Sequence, residues 1–503
     1  MASSGLTEVR RAEPIIPATE AGTVSLGRRV RAGLGWILSS SLLGELIRVL
    51  RSVILARLLV PEDFGLFGMA LTIAAALNAL TTLGLSQTVV SYKFGSDAEL
   101  KAHLNTAWSA ELVRSFLVAL LLAASAFPMV RFYGRPELLL IIPVLALTSL
   151  INGFQNIGLT LLRKQISFAR IFWYELVSNA IGFALTVALA VVMRSVWALV
   201  LGLLLSAVVS TVLSYIFHSY RPRLAFEKTA LRRALRLGKF TIVIAIAAYV
   251  MNMADNVMVG RLLGAGALGN YSLAFNISSA PISVLIVALS TVLFPAYAEI
   301  TAEHHERLER AFIKVFEIAS LLLVLTALPL FLLSDQLVLV LFGNRWAGAA
   351  PVLRILALII PLRGLSQIIS TVFFATNRPR EMTIGRLVEA LIFLAALFPL
   401  IKTLGLTGVA WAGLIAYAVA CLNRVIAFNR IIPGISTKLL CIALGILAAA
   451  VVGLVAGNLS LRFVTSPLFQ LAVGGAVSTA VPSAILLLFR TDLRKWLLEW
   501  ISP

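Results

Sequence analysis

Charge is scarce in this chain: Asp, Glu, Lys and Arg together make up 13% of 503 residues, about half the usual share of a soluble domain. Cysteine is scarcer still. Cys421 and Cys441 both sit inside apolar runs, so a disulfide framework is excluded. The four histidines are His103, His218, His304 and His305. The adjacent pair cannot share one helix face, and no cysteine is near it, so no metal site is expected. A phosphate-binding loop is missing as well. Gly238–Lys239 is followed by Phe240, and Arg233 stands where the first glycine of that loop belongs. Direct ATP drive is therefore not expected, nor any cofactor. No loop is long enough to hold an enzyme domain. The polar opening stretch, with Arg10, Arg11, Arg28, Arg29 and Arg31, lacks the pattern of a removable signal peptide.

What the chain has is apolar length. Sixty per cent of it is hydrophobic, arranged in runs long enough to cross a bilayer. Fourteen such runs can be read between Gly35 and Phe489. The expected fold is an all-α integral membrane protein of fourteen transmembrane helices. With the N-terminus placed in the cytoplasm, 29 of the 42 Lys and Arg fall on the cytoplasmic side and six on the other; seven lie within or at the ends of spans. That alternation is the pattern insertion requires, with both termini cytoplasmic in the inner membrane. It also accounts for the net charge of +19 without nucleic acid as a partner. The expected layout is a basic N-terminal segment (1–32), a first lobe of six spans (33–218), an amphipathic linker (219–238), a second lobe of six spans (239–430), two further spans (431–489) and a tail (490–503).

The stretch around Ile47–Ala70 organises the rest. On a helical wheel Ser41, Gly44, Glu45, Arg48, Arg51 and Ser52 share an arc of about 120°, with aliphatic residues around the remainder. A charge at mid-bilayer costs roughly 2.5–3.5 kcal/mol on insertion scales, so such residues face a protein interior or a wet cavity. An offset of 204 residues lays Ala56–Ala70 on Gly260–Ala274, and nine identical pairs follow without a gap between Ala56 and Val90, among them Arg57/Arg261 and Gly65/Gly269. Six spans separate the copies, so both enter the membrane in the same direction. Two lobes related by an axis along the membrane normal are the expectation. The same offset pairs Arg51 with Asp255 and Arg48 with Asn252. The linker RPRLAFEKTALRRALRLGK reads as a basic surface helix against anionic membrane lipids.

The signature ARLLVPEDFG (Ala56–Gly65), the basic linker and the FFATNRPR stretch (Phe373–Arg380) resemble the polysaccharide-transporter branch of the multidrug/oligosaccharidyl-lipid/polysaccharide exporter superfamily. The resemblance is nearest to the O-antigen and exopolysaccharide repeat-unit flippases. It implies a V-shaped two-lobe fold and, as substrate, an oligosaccharide repeat unit on an undecaprenyl-diphosphate carrier. A separate polymerase and export complex would act downstream, and the flippase itself would be a monomer.

An anionic head suits buried arginines. Arg48, Arg51 and Arg363 are the expected substrate contacts, with Asn252 beside them. Glu45 and Asp255 are expected to hold the arginines or to couple an ion. Structural readings stand beside these. Glu45/Arg48 suits a self-neutralised pair, Arg57 and Arg261 suit anchors of the short turn, and Asp63 suits an N-cap of the second span. Three other functions come into question, the first of them from within the superfamily that the chain resembles. A peptidoglycan-precursor flippase would use the same arginines, whereas a cation-coupled drug exporter would favour an acidic or aromatic cavity. A membrane scaffold has no use for charges at mid-span.

Overall fold

A two-residue turn, Leu59–Val60, separates the first two helices, and the sequence around it dictates the geometry. Pro61 takes the first helical position, where its missing N–H costs nothing. The Val60 N–H donates to Asp63 Oδ2 at 3.2 Å. Asp63 is therefore the third helical residue and closes the turn from inside; Val60 holds the N-cap position expected for it.

The computed structural model describes residues 26–82, 89, 95–165, 167–300, 305–375 and 378–489. Most of the basic N-terminal segment, His304, Thr376–Asn377 and the tail from 490 lie outside these. Among the described residues the regular elements are helical. In chain order the first half contains α1 (Leu26–Leu58), α2 (Pro61–Thr81), α3 (Asp97–Ala124), α4 (Ala126–Tyr133), α5 (Leu138–Gly153), α6 (Gly158–Lys164), α7 (Phe168–Met193) and α8 (Val196–Phe217). The second half contains α9 (Lys228–Leu262), α10 (Ala265–Ile300), α11 (His305–Leu332), α12 (Ser334–Leu341), α13 (Ala349–Ala375), α14 (Pro379–Leu404) and α15 (Leu406–Asn429), followed by α16 (Ile435–Leu461) and α17 (Pro467–Phe489). A single 3-10 turn, Asn344–Trp346, precedes α13.

Ten of these helices are long and apolar enough to cross a membrane, or eleven if α5 and α6, bent by 60° at Phe154–Ile157, form one span. The protein is thus a multi-pass membrane protein.

Element order and pairing both recur. A long helix followed by an eight-residue helix appears as α3–α4 and again as α11–α12. The packing of α3 on α5, α5 on α8 and α7 on α8 recurs as α11 on α13, α13 on α15 and α14 on α15. Across the halves, α1 packs on α10 as α9 packs on α2.

The linker divides differently from the sequence expectation. Residues 218–227 run extended, and a helix starts at Lys228 and continues unbroken to Leu262. The extended part is tied to the polar face of α3. Tyr220 Oη donates to Asn105 Oδ1 at 2.7 Å, and the Ala225 and Glu227 N–H groups donate to Ser109 Oγ (3.0 Å) and Thr106 Oγ1 (3.1 Å).

Candidate functional site

The charged arc of α1 divides along its length. Glu45 and Arg48 form an ion pair one turn apart, with Arg48 Nε donating to Glu45 Oε2 at 2.9 Å. The Arg48 side chain is still 38% exposed. Arg51, one turn on, is exposed, and its side chain has no hydrogen bond or ion pair among the described residues. Continue the arc one more turn and the environment inverts: Leu55 and Leu59 are 3% and 1% exposed. The opposite face, with Leu42, Leu46 and Leu50, is open throughout, as a lipid-facing stripe should be. The accessible part of the polar arc therefore ends at Leu55.

Leu55 and Leu59 are covered within their own half, by Ala190 of α7 and Ala198 and Leu199 of α8; beside them, from Ala56 on, the two halves meet. The first turns of α2 and α10 cross so closely that a Cβ on Gly65 would overlap the Ala265 carbonyl, and one on Gly269 would overlap the Pro61 carbonyl. These are mates under the 204-residue offset, so each half gives one glycine to the other's backbone. Small residues allow this approach where side chains would hold helices apart. Met69, Ala70, Leu268, Tyr271, Ala274 and Trp346 join one apolar cluster across the seam. Trp346 Nε1 donates to the Ala56 carbonyl at 2.8 Å. Arg57 does not anchor its own turn. Its guanidinium donates to the Leu341 carbonyl at 2.8 Å and to that of Val340, the exposed C-terminal carbonyls of α12, where a cation is favoured. Its mate Arg261 lies 5.5 Å over the Phe132 ring of α4, the helix equivalent to α12.

Three predicted residues meet in the second half. Asn252, Asp255 and Arg363 line one cavity of about 50 Å³ together with Tyr271, Glu389 and Tyr417. Asp255 is 5% exposed; Tyr271 Oη donates to its Oδ2 at 2.6 Å and the Asn256 N–H to its Oδ1 at 2.8 Å. Arg363 donates to Ser279 Oγ at 3.4 Å and sits 5.7 and 5.9 Å over the rings of Phe275 and Tyr417. Arg51 and Asp255, opposite in sign and equivalent in the repeat, form no ion pair. The six predicted residues thus fall into two groups, one on α1 and one on α9 and α13, where Asp255 is buried, Arg363 half-buried and Asn252 exposed. A space of this size holds waters or a bare cation and excludes a sugar.

Sequence reasoning missed Glu389 and misplaced Arg424. Arg424, one of the 29 basic residues assigned from the sequence to the cytoplasmic side, is 2% exposed inside α15, with Nη2 donating to Glu389 Oε2 at 2.7 Å. Arg386 approaches the other carboxylate oxygen at 3.8 Å. A carboxylate three residues after an arginine on an otherwise apolar helix was the available signal.

Geometry and composition together define an all-helical multi-pass membrane protein with a recurring helix arrangement. The chain belongs to the polysaccharide biosynthesis protein family, whose model matches residues 54–351. It is 27% identical over 497 residues to the succinoglycan biosynthesis transport protein ExoT of Rhizobium meliloti (strain 1021), an alignment covering 94% of this chain and 95% of that one. It is 25% identical to the lipopolysaccharide biosynthesis protein WzxC of Escherichia coli (strain K12) over 71% of this chain and 72% of that one. Among solved structures, the lipid II flippase MurJ in its inward closed conformation superposes with a TM-score of 0.71 at 15% identity, over 91% of this chain and 99% of that one.

Proposed function

We propose that this protein is a flippase that moves an undecaprenyl-diphosphate-linked oligosaccharide repeat unit across the cytoplasmic membrane, for assembly of an exported polysaccharide. The observation that carries the reading is the polar arc on α1, which presents the half-buried Glu45 and Arg48 and an exposed Arg51 at mid-span and ends at the buried Leu55. Membership of the family and the relatives' roles in succinoglycan and lipopolysaccharide synthesis support the substrate class.

In this reading fourteen helices cross the membrane, as two six-span lobes related by a pseudo-twofold axis and two extra spans. Both termini are cytoplasmic and the protein acts as a monomer that hands product to a polymerase and export complex. The arc then faces a groove between the lobes that opens inward, and the seam is the outer gate. Arg48 and Arg51 bind the diphosphate by charge-assisted hydrogen bonds while the lipid tail stays in the bilayer. Rocking of the lobes opens the seam and closes the groove, the alternating access common to repeat-built transporters. Asp255, with Asn252 and Arg363, forms a second-lobe site that takes a proton or small cation and couples that motion to the membrane gradient.

The test is deletion of the gene in its native host, extraction of lipids, and complementation with wild type, Arg51→Ala and Asp255→Ala. Accumulation of a multi-sugar lipid-linked unit with loss of surface polysaccharide, restored by wild type alone, is the expected result. Accumulation of the peptidoglycan precursor with lysis would reassign the substrate. No accumulation, with sensitivity to cationic drugs, would overturn the reading.

A further inference from the structure

The seam carries a second cleft on its far side, away from the groove. Its volume is about 680 Å³, much larger than that of the Asp255 cavity. Each half contributes equivalent parts. The turn at Val60–Glu62 faces the turn at Gly264–Gly266, its mate under the 204-residue offset, and one arginine comes from the loop after each eight-residue helix: Arg135 after α4, Arg345 before α13. Neither guanidinium has a hydrogen bond or ion pair among the described residues. Asn270 also lines the cleft, its Oδ1 buried without a partner and its Nδ2 donating to the Gly266 carbonyl at 3.0 Å. Glu62 is the one acidic side chain in the lining, so two guanidiniums against one carboxylate leave a net positive charge. The cleft also lies over the first turns of α2 and α10, whose dipoles favour an anion.

We propose that this cleft is an oxyanion-binding vestibule, in which Arg135 and Arg345 receive the head group of the translocated lipid as the seam opens. The inference rests on the flippase reading and adds a second station to it. Arg48 and Arg51 hold the anion on the entry side, and Arg135 and Arg345 draw it through on the exit side. The pseudo-twofold placement lets one oxyanion group on the axis be gripped from both lobes. Glu62 keeps the grip loose enough for release. Two head-group sources share this chemistry, the diphosphate and a carboxylated sugar, and two probes separate them.

Full-length protein carrying Arg48→Ala, Arg51→Ala and Arg363→Ala, which removes the two entry-side cations and the arginine of the second-lobe site, is titrated by calorimetry at low salt with inorganic pyrophosphate and with glucuronate. Binding of at least one probe is expected; the tighter one identifies the group. Adding Arg135→Ala and Arg345→Ala should weaken it by about a hundredfold, roughly tenfold for each charge-assisted hydrogen bond removed. Glu62→Gln should tighten binding several-fold, a gain that misfolding cannot mimic. Absence of binding in the entry-side variant, or binding that survives loss of Arg135 and Arg345, overturns the vestibule. The flippase reading is judged separately, by wild-type transport.

Discussion

The mutual glycine contacts make a quantitative prediction. Replacing Gly65 with valine puts a branched Cβ against the Ala265 carbonyl, a backbone atom that no rotamer change can move. Overpacking usually costs about 1–3 kcal/mol, and a backbone clash belongs at the upper end. Because the cost falls only on the closed seam, about 3 kcal/mol should raise the open population roughly a hundredfold. Labelling reads this directly. With Cys421 and Cys441 replaced by serine, Ala274→Cys places a thiol in the closed seam, where Ala274 is fully buried. A membrane-impermeant maleimide added from outside should react slowly with this reporter, and about a hundredfold faster when Gly65→Val or Gly269→Val is added. At Gly44 a Cβ would meet nothing within 4 Å, so Gly44→Val should leave the rate unchanged. Equal rates for Gly65→Val and Gly44→Val would refute the gate.

Other parts of the molecule give independent expectations. Glu389→Gln strands the buried Arg424 and should cost roughly 3–5 kcal/mol, read as a lowered melting temperature in detergent; Glu389→Gln with Arg424→Met should recover most of it. Arg57→Ala removes the tie from α1 to the α12 carbonyls and should speed labelling of Ala274→Cys, but less than Gly65→Val does, because an exposed cation contributes little. His218 caps the linker, its Nδ1 accepting from the Tyr220 N–H at 3.0 Å. Burial, then the neighbouring Arg170 and Arg221, push its pKa below the ordinary 6.5. The unfolded chain therefore binds the proton more readily, so stability is full above pH 6.5 and falls as the pH drops below it. Melting curves from about pH 8 to about pH 5 should show this loss in wild type and a smaller one in His218→Asn.

The all-helical, multi-pass class could be read from the sequence because membrane insertion leaves a local mark, apolar length. The repeat was legible for the same reason, since Gly65 and Gly269 are held by a backbone contact that tolerates no other side chain. Tertiary pairing was less visible. Arg424 looks like a loop cation only until α14 brings Glu389 against it, and nothing in the order of residues joins positions 35 apart across two helices. Asp255 and Arg363 meet through the packing of α9, α10 and α13, whereas their expected companions Arg48 and Arg51 stay on α1, beyond the reach of that cavity. Wheel geometry assigns a face to a helix but does not say which helix will cover it.

The measurement closest to the central claim is flipping itself. Purified protein in liposomes carrying the host's lipid-linked repeat unit is assayed by enzymatic modification of the glycan from outside, with lipid II as competitor. Transfer of the repeat unit by wild type, strongly reduced in Arg48→Ala/Arg51→Ala and indifferent to excess lipid II, is the expected result. Wild type that transfers no repeat unit, or Arg48→Ala/Arg51→Ala that transfers it at the full rate, would contradict the account.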